Sequence, residues 1–549
     1  MMQKILHIHP DDNLAVALRD LAAGTEVTVA GRRIKLRDSV AQKHKFTLED
    51  LGLGSDLQLY GVLVGRTTQA LPAGSLIGTS NTRHAAAQYQ LEDLAYTWQA
   101  PDTQAWQGDT FLGFHRNNGQ VGTRNYWLIV PLVFCENRNI EVLRRTLDTE
   151  LGYASAAPSW SVAPLLAAYQ QGASPAEISR LDPTQPATPS KTARPFPQVD
   201  GIKYLLHDGG CGGTRTDSET LCRLLAGYIV HPNVAGATVL SLGCQNAQIP
   251  LLQEAITALD AHFDKPVHYL EQQALGTEDA LLRTALQVTV AGCAEANNSS
   301  RAEAPLSALT LGLECGGSDG FSGLSANPAL GHTSDLLVAL GAKAILAEFP
   351  ELNGVEQELI RRCQRPATAQ RFAELMQTYA RRAREVGSDF AWNPSPGNIR
   401  DGLITDAMKS AGAARKGGSS PIVDVLDYTE LATRPGLNLL CTPGNDVEST
   451  TGLAASGATL IAFTTGLGTP TGNPIAPTLK IASNSELASR MPDLIDLDAG
   501  EIIRGKRTVE EIGTQLLNLM ICTASGNYLT KAERLQQDDF IPWKRGISL

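Results

Sequence analysis

At 549 residues the chain is too long for one hydrophobic core, and two to four domains are expected. Hydrophobic residues make up 43% and charged residues 19%, a globular composition that excludes a disordered chain. The net charge of −11 excludes a general binder of nucleic acid or anionic membrane, both of which need a basic face, but leaves room for small anions in a locally basic pocket.

No apolar run reaches the roughly 18 residues of a membrane span, and the start, MMQKILHIHPDD, has no signal-peptide core. The expected location is the cytoplasm. The nine cysteines there are reduced thiols or metal ligands rather than disulfides.

Residues 1–95 read as a small β-rich module. KILHIH, EVTVAGRRIKL and LQLYGVLVGRTTQAL predict short strands between turns, and NLAVALRDLAAGT predicts one short helix with a glycine stop. Residues 96–110 are polar and read as a linker. From 111 to 300 the rhythm changes. YWLIVPLVFC predicts a buried strand and ENRNIEVLRRTLDTEL a helix, and the same order recurs in GIKYLLHDGGCGG and GATVLSLGCQN with their following segments. Strands alternating with helices predict an α/β domain with a mainly parallel sheet. An Ala/Pro/Ser-rich insertion with one short helix interrupts it near 155–198, and 294–306 reads as a second linker. Residues 301–549 repeat the α/β theme with LTLGLECGG, KAILAEF, PIVDVLDY and ATLIAFTTGLGTPTG.

Four cysteines share one setting. Cys135, Cys211, Cys244 and Cys315 each follow an apolar strand and open a polar or glycine-rich loop. Carboxyl strand ends of a parallel sheet line a common edge where ligands bind, and thiolates gathered there suit iron or an iron–sulfur cluster. The other five cysteines read as small buried hydrophobes. His207, in HDGGC, is placed to act as a base or ligand. In the first module His9, Asp12 and Asn13 with His44 form an N/O ligand set or a group for binding hydroxyls. NPSPGN, CTPGNDVESTTG and FTTGLGTPTGNP expose backbone donors but match no nucleotide-binding template. Lys416 and Arg215 offer positive charge for a carboxylate.

Together these residues resemble the altronate/galactarate dehydratase family of sugar-acid dehydratases over nearly the whole chain. The resemblance rests on the HxxDN start, KHKF, GxVGTRN (Gln120 in the variable place), HxxGC, GLECGGSDGFSG with SANPALG, NPSPGN, TPGND and TTGLGTPTG. The stretch after Leu151 and the ending DDFIPWKRG resemble the longer, altronate-type members. The resemblance implies an N-terminal SAF-like domain joined to a two-part catalytic region. It implies removal of water from D-altronate to give 2-dehydro-3-deoxy-D-gluconate in hexuronate breakdown, with an iron requirement; related members act on galactarate or sulfolactate. Enzymes of this size are commonly homo-oligomers.

Such a reaction needs a base at C2, an acid for the C3 hydroxyl and an electrophile for developing charge. His207 is the first choice of base, with His44, Asp319 and Glu314 as alternatives. Asp12, Asn13, Asn327, Asn398 and Asn445 are hydrogen-bond partners for a linear polyol. The iron is held by ligands among Cys135, Cys211, Cys244 and Cys315, or it is a single Fe²⁺ with N/O ligands including His9 and His44. The glycines around Cys315 are expected to clear space for iron and a sugar acid.

Overall fold

The computed structural model describes residues 4–91, 94, 96–154, 159–185 and 193–548. The N-terminal module consists of small antiparallel sheets. Leu14–Ala17 pairs with Ile5–Leu6 on one side and Lys45–Thr47 on the other, and two hairpins follow, Glu26–Val29 with Arg32–Lys35 and Asp56–Leu59 with Val62–Thr67. The helix expected over 13–25 is therefore a strand followed by loop. All four residues of Leu14–Ala17 are buried, so the segment needs cover on both faces, and tertiary burial overrides its local helix propensity.

The middle unit is a parallel sheet with strands β1 (Tyr126–Pro131), β2 (Gly201–Tyr204), β3 (Val234–Ser241) and β4 (Val267–Glu271) in the order β2-β1-β3-β4. Every residue of β1 and β3 is buried, as strands covered by helices on both faces require. Helices Asn137–Glu150, Arg215–Val230, Ile249–Leu259 and Glu278–Ala296 supply that cover. The insertion carries a two-stranded ribbon and two short helices, Ala163–Gln170 and Pro175–Ile178, where one was expected. Ala302–Pro305 then pairs with Thr110–His115 in a small antiparallel sheet.

The C-terminal unit is built on seven strands: β5 (Thr310–Cys315), β6 (Lys343–Leu346), β7 (Ile422–Leu426), β8 (Gly436–Leu440), β9 (Leu460–Thr465), β10 (Thr478–Ala482) and β11 (Leu497–Asp498). Their order is β7-β8-β6-β5-β9-β10-β11, all parallel. The chain leaves β5 for β6 on one side and leaves β9 for β10 on the other. Such a reversal opens a crevice beyond the carboxyl ends of the two strands. One apolar core draws on both α/β units, with Leu128 and Leu225 packed in the same cluster as Leu440 and Leu453. Among the described residues no helix is long and apolar enough to cross a membrane.

Candidate active site

The carboxyl ends of β5 and β6, beside that crevice, hold a dense group of buried polar side chains. Cys315 ends β5, and Lys416 reaches it from the turn after helix Asp406–Ala413. The Lys416 Nζ lies 2.8 Å from the Cys315 Sγ and 2.6 Å from Glu348 Oε2. The thiol also lies 3.1 Å from Glu351 Oε2, and Glu351 Oε1 pairs with Lys409 at 2.7 Å. Glu314 accepts from Ser449 at 2.7 Å. One oxygen of Glu314 and one of Glu348 meet no other donor among the described residues, and the two carboxyls lie within hydrogen-bonding reach of each other.

Charge is distributed unevenly through this group. Burial and the neighbouring Glu348 push the Glu314 carboxyl well above its usual range. Burial and Glu351 also raise Glu348, against the pull of Lys416. Burial acts on Glu351 in the same direction, but Lys409 and Lys416 outweigh it and hold it low. Burial would lower Lys416, yet the thiol and carboxylates around it lift it well above the ordinary lysine value. Glu348 carries a left-handed backbone, φ +68°, which costs a non-glycine residue on the order of 1–3 kcal/mol. Asn393 and Asp446 stand half-buried beside the cluster, with Lys409 donating to Asn393 at 3.2 Å.

A second group lies at the other end of the glycine-rich loop. Asp319 is fully buried and meets Lys43 of the N-terminal module at 3.0 Å, with Ser322, Ser483 and Asn484 donating at 2.9, 2.8 and 3.1 Å. Lys43 also pairs with Asp401 at 2.8 Å, and Lys45 donates to Gly402 O at 2.6 Å. A cavity of about 600 Å³ opens beside this group, lined by Lys43, Phe321, Asn484 and Arg504 among others.

The glycines of GLECGGSDGFSG have a different purpose from the one expected. A Cβ on Gly316 would stand 2.0 Å from Asp446, and one on Gly320 would stand 2.6 Å from Lys43 O. They give room to other segments of the protein, so that the loop is clasped from two sides. The expectation of clearance for iron and substrate is corrected accordingly.

Three of the four strand-end thiols sit together in the middle unit and Cys315 does not. Cys135, Cys211 and Cys244 are exposed and follow the adjacent strands β1, β2 and β3. Their loops are joined by hydrogen bonds from Phe134 N to Gly209 O, and from Asn246 N and Ala247 N to Gly210 O, at 3.0–3.1 Å. His207 is buried in the same edge. Its Nε2 lies 2.8 Å from Pro131 O, and since a carbonyl only accepts, that nitrogen carries the proton. Nδ1 then accepts from Gly209 N at 3.1 Å. Burial holds the imidazole below its usual pKa. Both ring nitrogens are thus committed to backbone.

The remaining expected residues are scattered. Asp12 is buried and accepts from His9 N, Tyr60 N and Gly61 N at 2.8–3.1 Å, and Asn13 bonds Asp56 O and Gln58 N. Both knit the N-terminal hairpins together. His9 Nδ1 accepts from Asp11 N, and His44 Nδ1 faces Gln42 O. Asn327 bridges Gly412 O and Thr464, Asn398 bonds Ser318 O, and Asn445 caps helix Asp446–Ala455. Arg215 is exposed at the start of its helix. Glu348, Glu351, Lys409 and Lys43 went unmarked. The signal for the first two is a pair of acids in EFPEL, which begins one residue after the apolar strand KAIL. In KHKF it is Lys43 rather than His44 that reaches across.

Two donor sets test the fit of iron. Among the described residues, Cys315, Glu348 and Glu351 form a trio of donors whose ligand atoms lie within 4.8 Å of one another. Lys416 and Lys409 already supply its positive charge at 2.6–2.8 Å, so this set does not fit an added cation. The three thiols at the β1–β3 edge have no hydrogen-bond partner among the described residues, and as soft donors they fit iron.

Family models match three successive parts of the chain. "Altronate/galactarate dehydratase SAF domain" matches residues 3–85, "D-galactarate dehydratase/Altronate hydrolase, second domain" matches 113–297, and "D-galactarate/Altronate dehydratase, C-terminal" matches 306–548. The chain is 32% identical over 549 residues to the altronate dehydratase of Bacillus subtilis (strain 168), covering 100% of both. It is 33% identical over 545 residues to that of Escherichia coli (strain K12), covering 99% of both. To the galactarate dehydratase (L-threo-forming) of the same E. coli strain it is 30% identical over 538 residues, covering 96% of this chain and 94% of the relative. With its three domains in the family's order and kinship running from end to end, the chain belongs to the altronate/galactarate dehydratase family.

Proposed function

We propose that this chain is a hydro-lyase that removes water from D-altronate to give 2-dehydro-3-deoxy-D-gluconate. The observation that carries the reading is full-length kinship, at 32% and 33% identity, to two proteins named altronate dehydratase. The cluster at the ends of β5 and β6 supports it chemically. Lys416 and Lys409 provide positive charge for the substrate carboxylate as it gains enolate character. Glu348, raised by burial and by Glu351, takes the C2 proton. Glu314, kept protonated by burial and by Glu348, is a proton source beside it for the departing C3 hydroxyl. The enol then becomes the 2-keto acid. Glu348 takes the place of His207 as base because both imidazole nitrogens are held by backbone.

An iron requirement is part of the proposal. The thiols of the β1–β3 edge would hold it, and when bound it supplies a Lewis acid for hydroxyl or carboxylate oxygens. A cytoplasmic setting suits nine free thiols, and the net charge of −11 speaks against nucleic-acid and membrane partners. A homo-oligomer is supported by the exposed Trp160, Val162, Leu166 and Tyr169 of the insertion.

Glu348→Gln tests the assignment of the base. Turnover of altronate is expected to fall by at least about 100-fold, the usual weight of a general base, and the unfolding midpoint to fall with it, because the buried Lys416 loses its 2.6 Å carboxylate partner. Near-normal turnover removes Glu348 from the mechanism.

A further inference from the structure

We infer that Cys135, Cys211 and Cys244 bind an iron–sulfur cluster through three thiolates, leaving one iron without a protein sulfur, and that Cys315 is not a ligand. This rests on the iron requirement proposed above and assigns it a group and a place.

The first argument is topological. β2, β1 and β3 are neighbours in that order, so three consecutive carboxyl ends each deliver one thiol, with Cys135 in the middle. Neighbouring strands stand about 4.8 Å apart, so the three ends span roughly 10 Å. That width suits a multi-iron cluster, whose thiolates stand farther apart than the ligands of one ion. The same three cysteines do not form a group within 4.8 Å, which disfavours a single ion.

The second argument is the local build. The Cys211 loop is pressed onto the end of β1: Gly210 has φ +95°, and a Cβ there would lie 2.0 Å from Leu132 O. Only glycine permits that approach. Asn137, two residues after Cys135, donates to His207 O at 2.8 Å and so stands at the junction of the Cys135 and Cys211 loops. Its Oδ1 is buried without a partner among the described residues, as is Glu136 Oε1 in the residue between. Orphaned polar atoms are uncommon in native folds and ask for a missing partner.

The third argument is contrast among the thiols. Cys222, Cys293, Cys363 and Cys441 are buried, and burial raises each thiol, whereas Cys522, also expected to be buried, is exposed on helix Val509–Ala524 of the C-terminal unit. Cys315 is buried and bound to Lys416 and Glu351. The edge trio is exposed and unpaired.

The test uses the full chain, purified without oxygen and reconstituted with ferrous iron and sulfide. Acid-labile sulfide and a broad visible absorbance are expected in the wild type and in Cys315→Ser, and both are expected to be lost in Cys135→Ser, Cys211→Ser and Cys244→Ser. Should a variant fail to fold, alkylation of the wild type gives the same information: the edge thiols are protected when reconstituted and labelled after chelation. Absence of labile sulfide from the reconstituted wild type overturns the assignment, as does equal loss in Cys315→Ser or equal labelling with and without iron. A sulfide-containing protein that yields no keto acid from altronate overturns the proposed reaction and leaves the cluster standing. A sulfide-free protein that yields keto acid does the reverse.

Discussion

Lys416 is 1% exposed and surrounded by Cys315, Glu348, Glu351 and Glu314, an arrangement that only mutual neutralisation permits inside a protein. A second buried lysine shows the opposite outcome. Lys480, in the middle of β10, donates to Thr469 O at 2.6 Å and lies 4.9 Å from the Phe463 ring centre, and burial draws its pKa from 10.5 to about 7. The unfolded chain keeps that proton up to the ordinary lysine value, so between about pH 7 and 10.5 it binds more protons than the native state and stability rises with pH. Below that window the full penalty for burying the charge remains. Lys480→Met is therefore expected to stabilise the protein by on the order of 1–4 kcal/mol near pH 6, with the gain shrinking by pH 9. Urea midpoints at the two pH values measure this, and a gain of the same size at both would contradict it.

At the scale of elements, the segment from Gly316 to Gly323 joins the two polar groups of the C-terminal unit. Its first glycine admits Asp446 and its third admits the backbone of Lys43, which brings the N-terminal module against the catalytic sheet. The Lys43–Asp319–Asp401 bridge fastens that contact. Lys43→Met is expected to lower stability by about 1.5–3 kcal/mol, the usual weight of hydrogen bonds to charged groups. It is also expected to speed proteolytic release of the N-terminal module, and Lys43→Arg is expected to restore part of both. Unchanged midpoints and cleavage would show that the bridge contributes nothing.

Much of this was legible in the sequence at the level of periodicity. β1, β3, β5 and β9 are apolar runs that end in Cys or are followed within four residues by Cys or Gly, and the helices after them repeat at three and four residues. The strand Leu14–Ala17 was not legible, because four small apolar residues give no period and their pairing partners lie elsewhere in the chain. Of the site, Cys315 and Lys416 could be named, but not that one holds the other, since 101 residues separate them. Glu348 and Lys43 were hidden for the same reason: their chemistry arises from long-range packing.

At the scale of the molecule, the C-terminal tail binds the two α/β units together. Phe540 packs edge-on against Tyr228 at 5.0 Å, Ile541 N donates to Thr451, and Trp543 stacks edge-on against Tyr428 at 5.4 Å. Arg545 pairs with Asp427 at 2.7 Å, while Asp217 accepts from Arg545 N and Gly546 N. The tail thus touches the helix after the Cys211 loop and the helix after the Cys441 loop. The DDFIPWKRG ending is a structural strap in this fold.

The central claim is the reaction and its substrate. The most direct measurement is 2-keto acid formation from D-altronate, galactarate and sulfolactate by the full chain reconstituted with iron without oxygen. The account predicts formation of 2-dehydro-3-deoxy-D-gluconate, with a kcat/KM for altronate exceeding that for galactarate by at least about tenfold, a difference of about 1.4 kcal/mol in transition-state binding. No keto acid from altronate, or faster turnover of galactarate, would contradict it.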